Sequence, residues 1–117
     1  MEYRVTGAGS TVMETLGPGS PHEMVSMYHL DGDQLMLTHY CAGGNQPRMR
    51  LDRAASTPDR LKFVFFDGTN MDAAKDSHIH EVEIKLLGAD QINTTAVSFS
   101  GGKQDSSLVF DFSRKKG

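Results

Sequence analysis

Hydrophobic and polar residues alternate with a period of two along most of the chain, which is the pattern of β-strands with one buried face. The clearest segment is 78–87, where Val82 and Ile84 alternate with Glu81 and Glu83. Eight further short segments show a strand pattern and are separated by glycine-containing turns. They are residues 2–7, 11–16, 22–30, 34–42, 47–53, 61–66, 91–99 and 107–113.

Two connections predict β-hairpins. Asp31-Gly32 is suited to the positive φ angles of a type I′ turn and would join segments 22–30 and 34–42. With that turn, Tyr28 would face Leu35, Ser26 would face Leu37 and Met24 would face His39. Gly101-Gly102 predicts a second turn, between the last two strands.

Helical patterning is nearly absent. Residues 71–76 are the only segment expected to form a short helix, of about one turn, and residues 54–59 predict a turn or a single helical turn. About nine strands without a crossover helix predict an all-β domain spanning 1–117, built as an antiparallel up-and-down meander. We expect it to form a barrel or a strongly coiled sheet. A sandwich is the alternative, since the Gly- and Pro-rich loop at 17–21 could change sheets.

Composition restricts the partners of this domain. A formal net charge of −3 and a pI near 5.9 argue against nucleic acid and anionic membranes as partners. No apolar run has the length of a membrane span. The single cysteine, Cys41, excludes an intrachain disulfide and favours a reducing compartment such as the cytoplasm. The basic end at 114–116 predicts a solvated tail.

Histidines supply the candidate chemistry. His78 and His80 continue the apolar face of segment 78–87, and the hairpin places His39 on an inner face as well. Imidazoles there would need hydrogen-bond partners, because burying an unpaired polar group costs free energy. They could lie half-solvated at the rim, form a plug with Glu14 and Tyr28, bind a metal or recognise a ligand. We expect neither a metal nor a cofactor.

Several motifs carry a family resemblance. They are His39-Tyr40-Cys41, Asn45-Gln46-Pro47-Arg48-Met49, Asp67-Gly68-Thr69-Asn70 and His78-Ile79-His80. With them the chain, from Tyr3 to Arg114, resembles a group of bacterial proteins of unassigned function that are similar to the calycins, the barrels of the lipocalin and fatty-acid-binding-protein type. The resemblance implies binding of a small, usually apolar molecule, sometimes haem, inside a barrel, without catalysis. Such relatives carry an opening helix and a first strand before the segment that matches Tyr3-Arg4-Val5, and this chain begins directly in that segment.

The leading hypothesis is therefore a non-enzymatic barrel that binds a small, partly apolar molecule. Its polar end would consist of His39, His78, His80, Tyr28, Asn70 and Glu14. One alternative is an isomerase or hydrolase-like enzyme with His78 or His80 as general base and Tyr28 or Asn70 orienting the substrate. A further alternative is a structural or interaction module whose interior is filled by phenylalanines.

An odd number of strands also predicts the assembly. In an up-and-down meander the first and ninth strands run in the same direction, so they cannot close the sheet as an antiparallel pair. Unpaired edges invite pairing with another chain. We expect a homodimer in which the edge strands around residues 3–6 and 108–112 are covered by the partner.

Overall fold

The computed structural model describes residues 1–114. Lys115 and Lys116, which belong to the predicted solvated tail, lie outside the described residues. Within that part the chain forms nine strands and two short 3₁₀ turns. The strands are β1 Glu2–Thr6, β2 Thr11–Leu16, β3 Met24–Asp31, β4 Gln34–Tyr40, β5 Gln46–Leu51, β6 Arg60–Thr69, β7 His78–Leu86, β8 Gln91–Ser100 and β9 Lys103–Ser113. In the same residues, no helix is long and apolar enough to cross a membrane.

The nine strands form one antiparallel sheet in which each strand pairs with the next along the chain. The predicted all-β meander is thus confirmed, and the sandwich alternative is wrong, because the loop at 17–21 connects neighbours of the same sheet. The sheet curls into a half-barrel. Across residues 1–114, β1 and β9 are its two edges and do not pair with each other.

The core lies on the inner face of the central strands. Leu37, Met49 and Phe63 are fully buried, and Val82 and Ile84 pack with them. These residues sit opposite one another across β4 to β7, since Leu37 pairs with Met49 and Phe63 pairs with Val82. Large apolar side chains in register fill the middle of the half-barrel.

The β3–β4 hairpin forms with a different register from the predicted one. Ser26 faces His39 and Tyr28 faces Leu37, because the two turn residues are Gly32 and Asp33 rather than Asp31 and Gly32. Gly32 has a φ of +62°, but Asp33 does not have a positive φ. The predicted type I′ turn is therefore wrong, because it needs positive φ at both central residues, whereas a single positive φ at the first one is the pattern of a type II′ turn. The pairing moves by two residues, and a shift of two keeps every side chain on its predicted face.

β6 extends to Thr69, three residues beyond the predicted end at Phe66. The register shifts between Arg48 and Met49, so Phe66 becomes the extra residue of a bulge. Pairing then resumes with Asp67 opposite Arg48. The bulge allows the strand to continue through a segment that sequence patterning reads as a turn.

The predicted helical turn at 71–76 is a single hydrogen-bonded turn that does not become a helix. The N–H of Asp76 donates to the carbonyl of Asp72 at 2.7 Å, and the chain then enters β7. The 3₁₀ turns lie instead at Gly7–Gly9 and Arg53–Ala55, and the second overlaps the start of the turn predicted over 54–59. The Gly101-Gly102 turn between β8 and β9 is as predicted.

Candidate functional site

Glu14 is the buried centre of a polar cluster on β1, β2 and β3. Its Oε2 accepts hydrogen bonds from the phenol of Tyr3 at 2.5 Å and from that of Tyr28 at 3.1 Å. Only 4% of Glu14 is exposed, and burial raises the pKa of its carboxyl, against the opposing effect of the two phenol hydrogen bonds. Burial and the negative charge of Glu14 together raise the pKa of both tyrosines. Two donors thus satisfy a carboxyl group that would otherwise be costly to bury.

His39 adjoins this cluster. Tyr3, Glu14, Ser26 and His39 form one row across four strands, each facing the next. Ser26 Oγ lies 2.9 Å from His39 Nδ1, whereas the buried Nε2 of His39 has no hydrogen-bond partner. Burial lowers the pKa of His39 to about 4. At neutral pH the ring is therefore uncharged.

His78 and His80 contact each other directly. Nδ1 of His78 is 2.8 Å from the carbonyl oxygen of Asp76, and Nε2 of His78 is 2.9 Å from Nδ1 of His80. A carbonyl oxygen only accepts, so Nδ1 of His78 carries a proton. When both rings are neutral, Nε2 of His78 accepts from Nδ1–H of His80. The lone pair of His80 is then on Nε2, the nitrogen that faces away from the pair.

Phenylalanine rings hold His80 in place. Its ring stacks between Phe65, at 4.8 Å between centroids, and Phe99, at 3.8 Å. A register shift between Ile79 and Glu81 makes His80 the extra residue of a second bulge, so the alternation on which the histidine prediction rested is interrupted there. Burial, followed by the neighbouring His78, lowers the pKa of His80.

Asn70 lies elsewhere on the surface. It follows β6 in the left-handed region, with φ of 55°, a conformation that asparagine tolerates better than most residues. Its Nδ2 donates to Oε1 of Gln46 at 2.7 Å, and Thr69 Oγ1 donates to the same oxygen. These bonds tie the end of β6 to the start of β5.

The predicted polar residues therefore form two clusters and one separate contact. Glu14 and Tyr28 share a hydrogen bond, His39 is next to Glu14 through Ser26, and His78 pairs with His80. Among residues 1–114 no side-chain hydrogen bond joins His39 to either of the other two histidines. The same residues contain no group of three or more histidine, cysteine, aspartate or glutamate side chains placed to hold a metal ion.

A cavity of about 610 Å³, open to solvent on one side, lies between the two edges of the sheet. Ile92 and Phe112 give it apolar walls, and Tyr3 borders it from β1. Polar side chains line the rest, namely Glu2, Asp90, Gln91, Ser113 and Arg114. The guanidinium of Arg114 pairs with Asp90 at 3.5 Å. Tyr3 lines the cavity and also bonds to Glu14, so it connects the cavity to the polar cluster around Glu14.

Sequence patterning missed several residues of these sites. Tyr3 and Ser26 could have been found, because both follow from the cross-strand register once the hairpin pairing is right. Phe65 and Phe99 belong to strands that were recognised, but their contact with His80 depends on a bulge without a sequence signal. The cavity walls come from opposite ends of the chain, and nothing local in the sequence brings them together.

By fold, the chain belongs to the class of all-β proteins built as an antiparallel meander and curled into a half-barrel. No family model, curated protein or solved structure matches it. Kinship with the calycins stays a prediction from the sequence motifs.

Proposed function

We propose that this protein binds a small, partly apolar molecule in the cavity between β1 and the β8–β9 hairpin. The observation that carries the proposal is the cavity itself. Its volume of about 610 Å³ lies within the range of roughly 300–1,000 Å³ that is usual for small-molecule sites. Such sites combine apolar walls with polar groups, and here Ile92 and Phe112 accompany the phenol of Tyr3 and the polar side chains of Glu2 and Gln91.

Polar selectivity would come from the cluster behind Tyr3. Its phenol donates to Glu14, so its oxygen keeps a lone pair for a hydrogen-bond donor on the ligand. Glu14 and Tyr28 take part through this bond and fix the direction of the phenol. The proposal agrees with the binding role that the calycin resemblance implies. Direct ligand contacts of His39, His78, His80 and Asn70 stay predictions.

A thermal-shift screen against fatty acids, retinoids, haem and aromatic metabolites tests this function. We expect at least one apolar class to stabilise the protein, since a ligand that binds only the folded state raises its melting temperature. Ile92→Arg places a charge in the cavity wall and should weaken binding at least about tenfold, or about 1.4 kcal/mol. Val97→Arg is the matched control on the same strand, because Val97 is not part of the wall.

Two results would count against this function. One is a uniform lack of stabilisation across the screen. The other is a ligand whose affinity falls equally in the Ile92→Arg and Val97→Arg proteins, because that ligand would bind outside the cavity.

The histidine pair supports a second candidate function, proton transfer by His80. The hydrogen bond that His80 donates to His78 fixes the tautomer of His80 and leaves a partly accessible lone pair on its Nε2, the arrangement that a general base needs. Stacking between Phe65 and Phe99 restrains its orientation. In this reading His78 is a positioning residue and His80 the base.

Nitrogen-15 NMR of the imidazoles tests this second function directly. Both neutral rings should carry their proton on Nδ1, and His78→Gln should release His80 from this tautomer. A proton on Nε2 of His80 in the unaltered protein would remove the structural reason to consider it a base. If a panel of activity assays showed no difference between the unaltered protein and His80→Gln, the functional reason to consider His80 a base would also be removed.

A further inference from the structure

The outer edge of β9 is the most exposed strand edge of the described chain. β9 is 11 residues long, whereas β1, the other edge, has five. Leu108, Val109 and Phe110 are 53%, 61% and 36% exposed. Between 106 and 113 the one charged residue is Asp111, and there is no proline. Long, apolar and weakly charged edges of this kind pair readily with another strand.

The chain's own first strand cannot cover this edge with an antiparallel pair. All eight strand pairings are antiparallel, so β1 and β9 run in the same direction. A second copy related by a two-fold axis perpendicular to the sheet presents its β9 in the opposite direction. We propose that β9 pairs antiparallel with β9 of a second copy and joins two half-barrels into one continuous sheet.

The two-fold axis limits the register. Facing residues must share a side of the sheet, so a residue of β9 lies at the axis and faces itself. An axis at Leu108 would place Asp105 opposite Asp111, and an axis at Asp111 would place it opposite itself. Like charges directly opposite each other are destabilising. If the axis lay before Leu108, the new pairing would be centred close to residues 104–106, where the pairing of β9 with β8 is irregular.

An axis at Val109 satisfies both charge and apolar contacts. Leu108 then faces Phe110 of the second copy, and Asp111 faces the hydroxyl of Ser107. A register centred on Phe110 would place the Asp111 carboxylate against Val109, an apolar side chain. An axis at Phe112 or Ser113 would pair at most three residues of β9, because the strand ends at Ser113. We therefore assign the axis to Val109, where the two copies of this residue face each other.

Cysteine cross-linking tests both the interface and its register. In a Cys41→Ser background, Val109→Cys should oxidise to a covalent dimer of twice 12.8 kDa. Facing residues of antiparallel strands have Cα atoms about 4.5–5.5 Å apart, which is within the range that a disulfide spans. Val5→Cys on β1 is the matched control, because Val5 is a similarly exposed valine at the other edge. It should remain monomeric on denaturing gels.

Sedimentation velocity at micromolar concentration gives the second measurement. The unaltered protein should sediment as a dimer, Val109→Lys should weaken association at least tenfold, and Val5→Lys should leave it unchanged. A monomeric unaltered protein would overturn the proposal. Equal cross-linking of Val5→Cys and Val109→Cys, or stronger cross-linking of Phe110→Cys than of Val109→Cys, would overturn the interface or the register.

Discussion

The neutral, buried His39 should make the protein less stable in mild acid. Its pKa is about 4 in the folded protein, against an ordinary value of 6.5. Between these values the unfolded chain binds a proton that the folded protein excludes, so the free energy of unfolding falls as the pH falls. From pH 7 to pH 5 this linkage amounts to about 2 kcal/mol, and below pH 4 it approaches about 3 kcal/mol in total.

Urea denaturation at pH 7, 6 and 5 measures this dependence. Far-UV circular dichroism is the suitable signal, because the chain has no tryptophan. His39→Gln removes the titrating ring but keeps a polar group that can bond to Ser26. The loss of stability between pH 7 and pH 5 should therefore be about 2 kcal/mol smaller in that variant. His29→Gln, at an exposed position of the neighbouring strand, is the control.

Other groups titrate near His39, and the comparison between variants separates them. Glu14 has a raised pKa in the folded protein and acts with the opposite sign, because the folded protein then binds the proton more readily than the unfolded chain. The lowered pKa of His80 acts with the same sign as His39. The contributions of Glu14 and His80 are common to the unaltered protein and to the His39→Gln and His29→Gln variants. An equal loss of stability in the unaltered and His39→Gln proteins would refute the assignment to His39.

Two further predictions concern packing. Phe63→Ala should lower the free energy of unfolding by about 3–5 kcal/mol, as measured by urea denaturation, because it empties the fully buried centre of the core. If Phe65→Ala, at a half-buried position, lowered the free energy of unfolding more than Phe63→Ala does, Phe63 would not be the centre of the core. Gly68→Ala should cost about 1 kcal/mol, because its methyl group would lie 3.3 Å from the backbone Cα of Pro47 and would displace the flexible side chain of Met71, whose sulfur would be 2.5 Å away. Gly43→Ala, whose methyl group meets its nearest atom at 3.8 Å, is the control, and equal melting temperatures for the two variants would contradict the crowding argument.

The period-two pattern was sufficient to predict the strands and their order. It works because each strand has one face against the core, as at Val82 and Ile84, and because short turns leave few topologies. The hairpin register was wrong by two residues, since Gly32 can occupy either position of the turn and both choices keep the same faces. Patterning could not reveal the bulges at Phe66 and His80, because an extra residue has no hydrophobic signature of its own.

Prediction of the candidate site was less complete for the same reason. Glu14, Tyr28 and His39 do come together, because β2, β3 and β4 pair without a register shift and their side chains therefore alternate regularly. Asn70 does not join them, since it follows the bulged part of β6 and bonds to Gln46. The cavity depends on the curl of the whole sheet, which brings the start of β1 near Ile92 and Phe112. That curvature is a property of nine strands together.

The pairing of each strand with its chain neighbour has a consequence for folding and access. Hairpins can form one after another without closing a long loop, so we expect the chain to fold fast for a β protein. Opening should also proceed from the ends, with amide exchange slowest in β5 to β7 and fastest in β1, and equally fast in β9 only where no second copy is paired with it. The cavity is bordered by those outer strands. Brief fraying of the sheet edges would therefore admit a ligand. A second copy bound to β9 would slow the entry and release of that ligand.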